Sequence, residues 1–198
     1  MKKKILILGP IWRNRNIFNF LSKRYTVHIT DSKINDSFVK LNKIDFLVTS
    51  GYAFLIKKKI ISTVKKAINL HISFLPYGRG IMPNLWSFYE GYPSGITIHE
   101  LDESFDTGKI IIQKKIKFTN IKKQTLKTTH DFLLLKLEDF FLKNADKIFL
   151  NKIKSYKQDK YIKIDKYHTR VESNKLMKNF KKRWNTKIST VIKYAKKN

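Results

Sequence analysis

Apolar positions recur along this chain with two periods, and together they lay out alternating strands and helices. The run Ile5 to Leu8, closed by Gly9-Pro10, predicts a first buried strand. Ile17, Phe20 and Leu21 then stand at i, i+3 and i+4, which predicts a helix over Asn14 to Lys23 with one apolar face. Tyr25 to Thr30 follows as a second strand, so the chain opens β-α-β with short connections. That opening predicts an α/β fold with a parallel sheet of Rossmann type. Asp31 to Lys43 is polar with a weak helical pattern and reads as a loop or a short helix. Asp45 to Ser50 is a third strand, and Lys57 to Lys66 a helix that turns Ile60, Ile61 and Val64 inward.

The apolar run Lys66 to Ile72 predicts a fourth strand, ended by the irregular loop that Pro76, Gly78 and Gly80 impose. Asn84 caps a short helix over Leu85 to Glu90, in which Trp86 and Tyr89 form either core or a cover for the loop. The next strand, Gly95 to Glu100, puts Thr97 and His99 on one side and Ile96 and Ile98 on the other, with His99 read as structural. Lys109 to Phe118 is a further strand, and Asn120 to Gln124 turns away from it. The longest helix runs from Thr125 to Leu150, with Leu126, Leu133, Leu137, Phe140, Phe141 and Ile148 at spacings that close one sheet face. His130 on it reads as a surface residue.

From Asn151 the composition shifts to Lys, Tyr and isolated Ile, without Gly or Pro. Ser173 to Asn198 predicts two short basic helices around Trp184. The expected division is a catalytic domain over 1–155 and a short basic helical tail over 156–198 that packs on it. At 198 residues the chain suffices for one domain with a core and leaves no room for a large accessory domain.

Composition narrows the function classes. The chain has no Cys, which removes a disulfide framework and thiolate metal sites and fits a reducing, cytoplasmic setting. No apolar stretch approaches the roughly 20 residues of a membrane helix. The formal charge is +27. It raises nucleic acid as a partner through phosphate attraction. Only six of the 42 basic residues are Arg, however, and the lysines are spread along the whole chain. The charge therefore reads as a surface that draws in anionic small ligands more than as a nucleic-acid footprint.

The candidate chemistry lies between Asn69 and Gly108. Asn69 and His71 are two apart on a strand, so they share a face. If the strand belongs to a parallel sheet, its carboxyl end is where open α/β folds place ligands. Asp106 arrives from the turn Ser104 to Gly108. An amide that donates to a developing oxyanion, an imidazole that takes or relays a proton, and a carboxylate that orients it suit acyl or formyl transfer to an amine. Each residue alone has an ordinary explanation: Asn69 satisfying backbone groups, His71 packing, Asp106 making an Asx turn. Three together around a Gly/Pro loop at a strand end are hard to explain as packing. His71, His99 and Asp106 also have metal-ligand chemistry, but no His-Glu-x-x-His or Cys pair accompanies them, and no metal is expected. Leu8 to Arg13 lacks the G-x-G-x-x-G of a dinucleotide site.

The stretch resembles the folate-dependent formyltransferases, whose core reads N-x-H-x-S-x-L-P-x-x-R-G and then G-x-T-x-H-x-x-D-x-x-x-D-T-G. The matching residues are Asn69, His71, Ser73, Leu75, Pro76, Arg79, Gly80, Gly95, Thr97, His99, Asp102, Asp106, Thr107 and Gly108. The resemblance covers residues 1 to about 150. It implies that Asn69, His71 and Asp106 are the catalytic trio and that 10-formyltetrahydrofolate is the formyl donor. It also implies a pterin pocket from Gly51, Tyr52, Phe54, Leu55 and Ile56, with Ser73, Leu75, Pro76, Arg79 and Gly80 as a facing wall and Asp102 nearby. Composition alone favours a strand-to-helix turn with core residues for Gly51 to Ile56, while its position just before the Asn-His strand favours the pocket.

Within that family the chain lacks the Gly/Ser/Asn-rich phosphate loop of glycinamide ribonucleotide transformylases. Its tail is too short for the β-barrel domain of methionyl-tRNA formyltransferases. Lys166 to Arg170, with Tyr167 and His168, resembles a tail motif of some nucleotide-sugar formyltransferases. The expectation is formyl transfer to the amino group of a nucleotide-linked amino sugar in surface polysaccharide synthesis. A methionyl-tRNA formyltransferase-like enzyme and a basic RNA-binding protein on the same scaffold are the alternatives, and a homodimer is left open.

Overall fold

The computed structural model describes residues 2–158 and 167–197. In chain order its elements are β1 (Lys4–Leu8), α1 (Ile11–Ser22), β2 (Thr26–Thr30), α2 (Asp36–Leu41), β3 (Phe46–Thr49), α3 (Lys58–Ile61), β4 (Lys66–His71) and β5 (Arg79–Gly80). There follow α4 (Pro83–Tyr89), β6 (Gly95–Glu100), β7 (Ile110–Lys115), α5 (Leu126–Phe149), β8 (Tyr167–His168), α6 (Arg170–Lys178) and α7 (Ile188–Ala195). The main sheet has six strands in the order β2-β1-β3-β4-β6-β7, and β5 pairs with β8 in a second, two-stranded sheet. β1 runs parallel to β2 and to β3, and β3 parallel to β4. The α/β class with a mostly parallel, Rossmann-like sheet is what the β-α-β opening predicts. Ile5 to Leu8 of β1 and Phe46 to Val48 of β3 are continuous apolar runs because a parallel sheet is covered on both faces; Ile5 to Leu8 are fully buried.

The chain forms two compact units. The first comprises Met1–His71, Ile98–Ile112 and Glu138–Lys157. Its core joins Leu6 and Leu8 of β1, Leu47 of β3, Ala67 of β4, Val39 of α2 and Ile60 of α3. Phe149, at the end of α5, stacks on Phe46 at the start of β3 with ring centroids 4.6 Å apart. Leu101 donates its backbone N–H to the Ala67 carbonyl at 2.9 Å, which ties the end of β6 to β4.

The second unit comprises Ile72–Thr97, Gln113–Leu137 and Gln158–Asn198. Its core packs Leu85, Trp86 and Phe88 of α4 against Leu126 and against Leu176, Met177, Ile188 and Val191 of α6 and α7. Full burial of side chains of this size contributes about 1.5–3 kcal/mol each as an upper estimate. α6 starts at a capping box in which Thr169 and Glu172 satisfy each other's backbone N–H groups. The two basic tail helices are found, with Trp184 in the 3-10 turn between them. Of the tail motif, Lys166 lies outside the described residues. Tyr167 and His168 form β8; His168 is buried, stacks on Trp86 at 3.8 Å, and has its Nε2 3.1 Å from Glu90 Oε2.

Three sequence expectations need correction. Asn84 does not cap α4: Met82 takes the cap position with φ 53° and Pro83 opens the helix. Asn84 is buried instead and donates to the Leu126 carbonyl and the Thr129 hydroxyl. A proline's fixed φ and missing N–H suit the first helical turn, which sets the start earlier than Leu85. The helix expected over Lys57 to Lys66 is only the single turn α3, because Lys66 already belongs to β4. The strand expected over Lys109 to Phe118 is confined to Ile110–Lys115. The segment left open between Asp31 and Lys43 contains α2, capped by the Asn35 side chain accepting from the Phe38 N–H at 2.8 Å. Trp86 belongs to the core. His130 is half-buried, 5.2 Å from the Trp184 ring.

Candidate active site

β4 ends at His71, and the alternation of the strand turns Asn69 and His71 to the same face at its carboxyl end. The parallel register sets Thr49, the last residue of β3, directly beside Asn69. On the other side of β4, β6 carries His99. Asp106 enters from the turn after β6 with φ 57°, a left-handed conformation that Asp tolerates better than most side chains. That turn is held from within. The Asp102 carboxylate accepts from the Ser104 N–H at 3.2 Å and from the Thr107 hydroxyl at 2.6 Å. Gly108 lies so close to β6 that a Cβ there would stand 1.8 Å from the Glu100 carbonyl oxygen. Only glycine lets the turn approach far enough to seat Asp106.

The resulting group is compact and lies wholly in the first unit. Asn69 Nδ2 donates to Asp106 Oδ1 at 3.0 Å and stands 3.1 Å from His99 Nε2. His71 Nδ1 is 3.7 Å and His99 Nε2 3.4 Å from the same carboxylate oxygen. Asp106 is 9 % exposed, His71 8 % and His99 1 %, so the carboxylate charge acts on both imidazoles with little water between. His99 Nδ1 lies 2.8 Å from the Glu100 carbonyl. A carbonyl only accepts, so Nδ1 carries the proton and Nε2 of the neutral ring is an acceptor. Chemically, the group offers an amide N–H donor, an imidazole for proton transfer and a shared carboxylate.

Asn69, His71 and Asp106 thus meet as the sequence spacing suggests. His99, read from sequence as structural, joins them. The signal for it is the even spacing of Thr97 and His99 on β6, but assigning it needs the sheet order, which puts β6 beside β4. Thr49 escapes the sequence reading as well; its place at the end of an apolar strand is the only cue.

The proposed pterin-facing residues fall in both units. Gly51 to Ile56 follows β3 in the first. Gly51 has φ +72° and is covered by the Arg13 guanidinium, whose pKa burial lowers to about 10 and which keeps its charge at neutral pH. The Tyr52 hydroxyl donates to the Ser32 carbonyl and accepts from the Ile34 N–H. Phe54 and Leu55 are exposed, whereas Ile56 is part of the core. Ser73, Leu75, Pro76, Arg79 and Gly80 lie in the second unit. There the Thr97 hydroxyl donates to the Ser73 carbonyl at 2.7 Å, Gln113 donates to the Leu75 carbonyl at 2.9 Å, and Arg79 donates to the Gln158 side chain at 2.8 Å. Among the described residues, no helix is long and apolar enough to cross a membrane.

Comparison with known proteins adds the following. Residues 14–135 match the model of a family described as formyl transferase. The chain is 36% identical over 121 residues to a methionyl-tRNA formyltransferase of Finegoldia magna, covering 60% of this chain and 38% of that protein. It thus spans well under two thirds of the length of such relatives. Among solved structures it is 35% identical to the formyltransferase PseJ from Anoxybacillus kamchatkensis, in complex with UDP-4,6-dideoxy-4-formamido-L-AltNAc and tetrahydrofolate. That match covers 97% of this chain and 99% of the other, with a TM-score of 0.87. A 4-N formyltransferase from Francisella tularensis, 23% identical over 88% of this chain and 79% of its own, shares the fold with a TM-score of 0.70.

Proposed function

We propose that this chain, which belongs to the formyl transferase family, transfers a formyl group from 10-formyltetrahydrofolate to the amino group of a nucleotide-linked amino sugar. The observation that carries the reading is the convergence of Asn69 and His71 on one buried carboxylate oxygen of Asp106 at the end of β4. The likeness to PseJ over nearly the full length of both chains supports a sugar nucleotide over other amines.

Each residue has a role its geometry suits. Asn69 donates to the carbonyl oxygen as negative charge develops there. His71 receives the proton that the attacking amine loses, and Asp106 stabilises the imidazolium so formed. The amine itself is the nucleophile, so no side chain need be acylated; as the bond from the formyl carbon to the donor nitrogen breaks, His71 can return the proton to that nitrogen, so that neutral tetrahydrofolate leaves. The segment after β3 suits a flat apolar ring, since Phe54 and Leu55 are exposed on it. The bound folate would supply an activated formyl group on nitrogen. A tail over 156–198 that completes the catalytic domain belongs to the same proposal.

The test is direct. The protein with 10-formyltetrahydrofolate is offered a UDP-linked 4-amino-4,6-dideoxy sugar and, separately, methionyl-tRNA, because the relatives by sequence include methionyl-tRNA formyltransferases. Formylation of the sugar nucleotide is expected. Formylation of methionyl-tRNA alone would overturn the substrate class, and no consumption of donor with either would overturn the reading itself.

The donor site has its own prediction. 5-Formyltetrahydrofolate, which cannot transfer its formyl group readily, should raise the melting temperature by mass action and give a binding isotherm in calorimetry. Neither heat nor a thermal shift at about millimolar ligand would exclude folate as donor, since such binding would be weaker than about −4 kcal/mol.

A further inference from the structure

We propose that Thr49 is a positioning residue that fixes which end of the Asn69 amide faces the reacting centre, an inference that rests on the formyl-transfer reading of this site. Thr49 is 4 % exposed and lies beside Asn69 in the β3-β4 register. Its hydroxyl donates to Asn69 Oδ1 at 2.7 Å, with the Ile68 carbonyl at 3.3 Å as the other acceptor within reach. The opposite end of the amide, Nδ2, faces Asp106 Oδ1 at 3.0 Å and His99 Nε2 at 3.1 Å.

An amide has an accepting and a donating end, and a half-turn about its last bond exchanges them. In the observed orientation both ends meet complementary partners. After a half-turn, Oδ1 would face the Asp106 carboxylate, acceptor against acceptor, and Nδ2 would face Thr49. Asp106 alone disfavours that arrangement, but Asp106 sits on a turn and also serves two imidazoles. Thr49 is on the rigid end of a central strand, and among the described residues Asn69 is the side chain its hydroxyl meets. Its proton goes to Oδ1 at 2.7 Å in preference to the Ile68 carbonyl at 3.3 Å, so it adds to Asp106 in favouring the orientation that directs Nδ2 to the site. A donor that must already point at the place where charge develops is worth more than one that rotates into position during the reaction.

Thr49→Val keeps the branched shape and removes the hydroxyl, and Thr49→Ser keeps the hydroxyl and removes a methyl group. The Thr49→Val change should lower kcat about tenfold, with KM for both substrates within about twofold of wild type. The Thr49→Ser change should retain most of the wild-type rate. In a background of Asn69→Ala, Thr49→Val should cost nothing more in kcat, because the group it positions is gone. A merely structural role predicts additive losses and no advantage of the serine variant over the valine one. Either result, or wild-type kcat in Thr49→Val, would overturn the proposal.

A second readout does not depend on turnover. The nitrogen and proton signals of the Asn69 side-chain amide, assigned by their absence in Asn69→Ala, should shift and exchange faster with water in Thr49→Val. Unchanged signals would overturn the positioning role even if activity fell. If the wild type formylated no amine, the functional reading would fail by that measurement alone, while the amide signals would still decide whether Thr49 holds Asn69.

Discussion

Asn69→Ala and His71→Asn are each expected to lower kcat by on the order of a hundredfold or more, with the melting temperature close to wild type. Removal of one preorganised oxyanion donor typically costs about that much, and removal of a proton acceptor costs about a hundredfold to ten-thousandfold. Folding should survive because neither side chain belongs to the apolar core: Asn69 is half-buried, and His71 is the last residue of β4. Steady-state rates with donor and amine, set against thermal melts of the same samples, check this. Near-normal turnover in either variant would remove that residue from the mechanism.

Asp106→Asn should have the second largest effect, in both rate and pH dependence. The carboxylate oxygen stands 3.7 Å from His71 Nδ1, 3.4 Å from His99 Nε2 and 3.0 Å from Asn69 Nδ2. A neighbouring negative charge favours the imidazolium, so replacing it with a neutral amide makes the ring easier to deprotonate. The acidic limb of the pH–rate profile, which reports the imidazole that must be neutral to accept a proton, should move to lower pH. Asn also introduces a donor where Asn69 needs an acceptor, so the rate at the optimum should fall at least about tenfold. Two imidazoles face this carboxylate, and the residual activity of His71→Asn tells them apart. The limb should be absent there if it belongs to His71. A limb that stays in place in Asp106→Asn would refute the coupling.

Much of this arrangement can be read from residue order, and what cannot has identifiable physical causes. The period-two pattern of β4 puts Asn69 and His71 on one face, and the Gly/Pro loop marks its end. Those are local facts. His99 and Thr49 are different: each is an ordinary strand residue until the sheet order brings β6 and β3 to either side of β4. Strand neighbours across a parallel sheet are separated by whole crossovers, so their register is a property of the fold and not of any window of sequence. The misplaced cap on α4 has a different cause. Asn84 has good capping chemistry, but Pro83 constrains the backbone more strongly than a side-chain hydrogen bond rewards Asn at the cap, and the freed amide is used inside the core. α3 is short because the chain needs Lys66 extended to pair with Phe46, and the β-branched Ile60, Ile61, Thr63 and Val64 before it do not resist.

The two amide hydrogens of Asn69 have two acceptors waiting in the resting protein, Asp106 Oδ1 and His99 Nε2. A neutral carbonyl oxygen arriving there offers no stronger acceptor than the imidazole nitrogen it displaces, so exchanging one for the other gains little. An oxygen that has taken up negative charge is a far stronger acceptor, and only then does the exchange favour the substrate. Under the proposed formyl transfer, the resting contact with His99 would work as a threshold: it would withhold the amide from ground-state substrate and release it as the tetrahedral centre forms, directing the hydrogen bond's free energy to rate rather than to affinity.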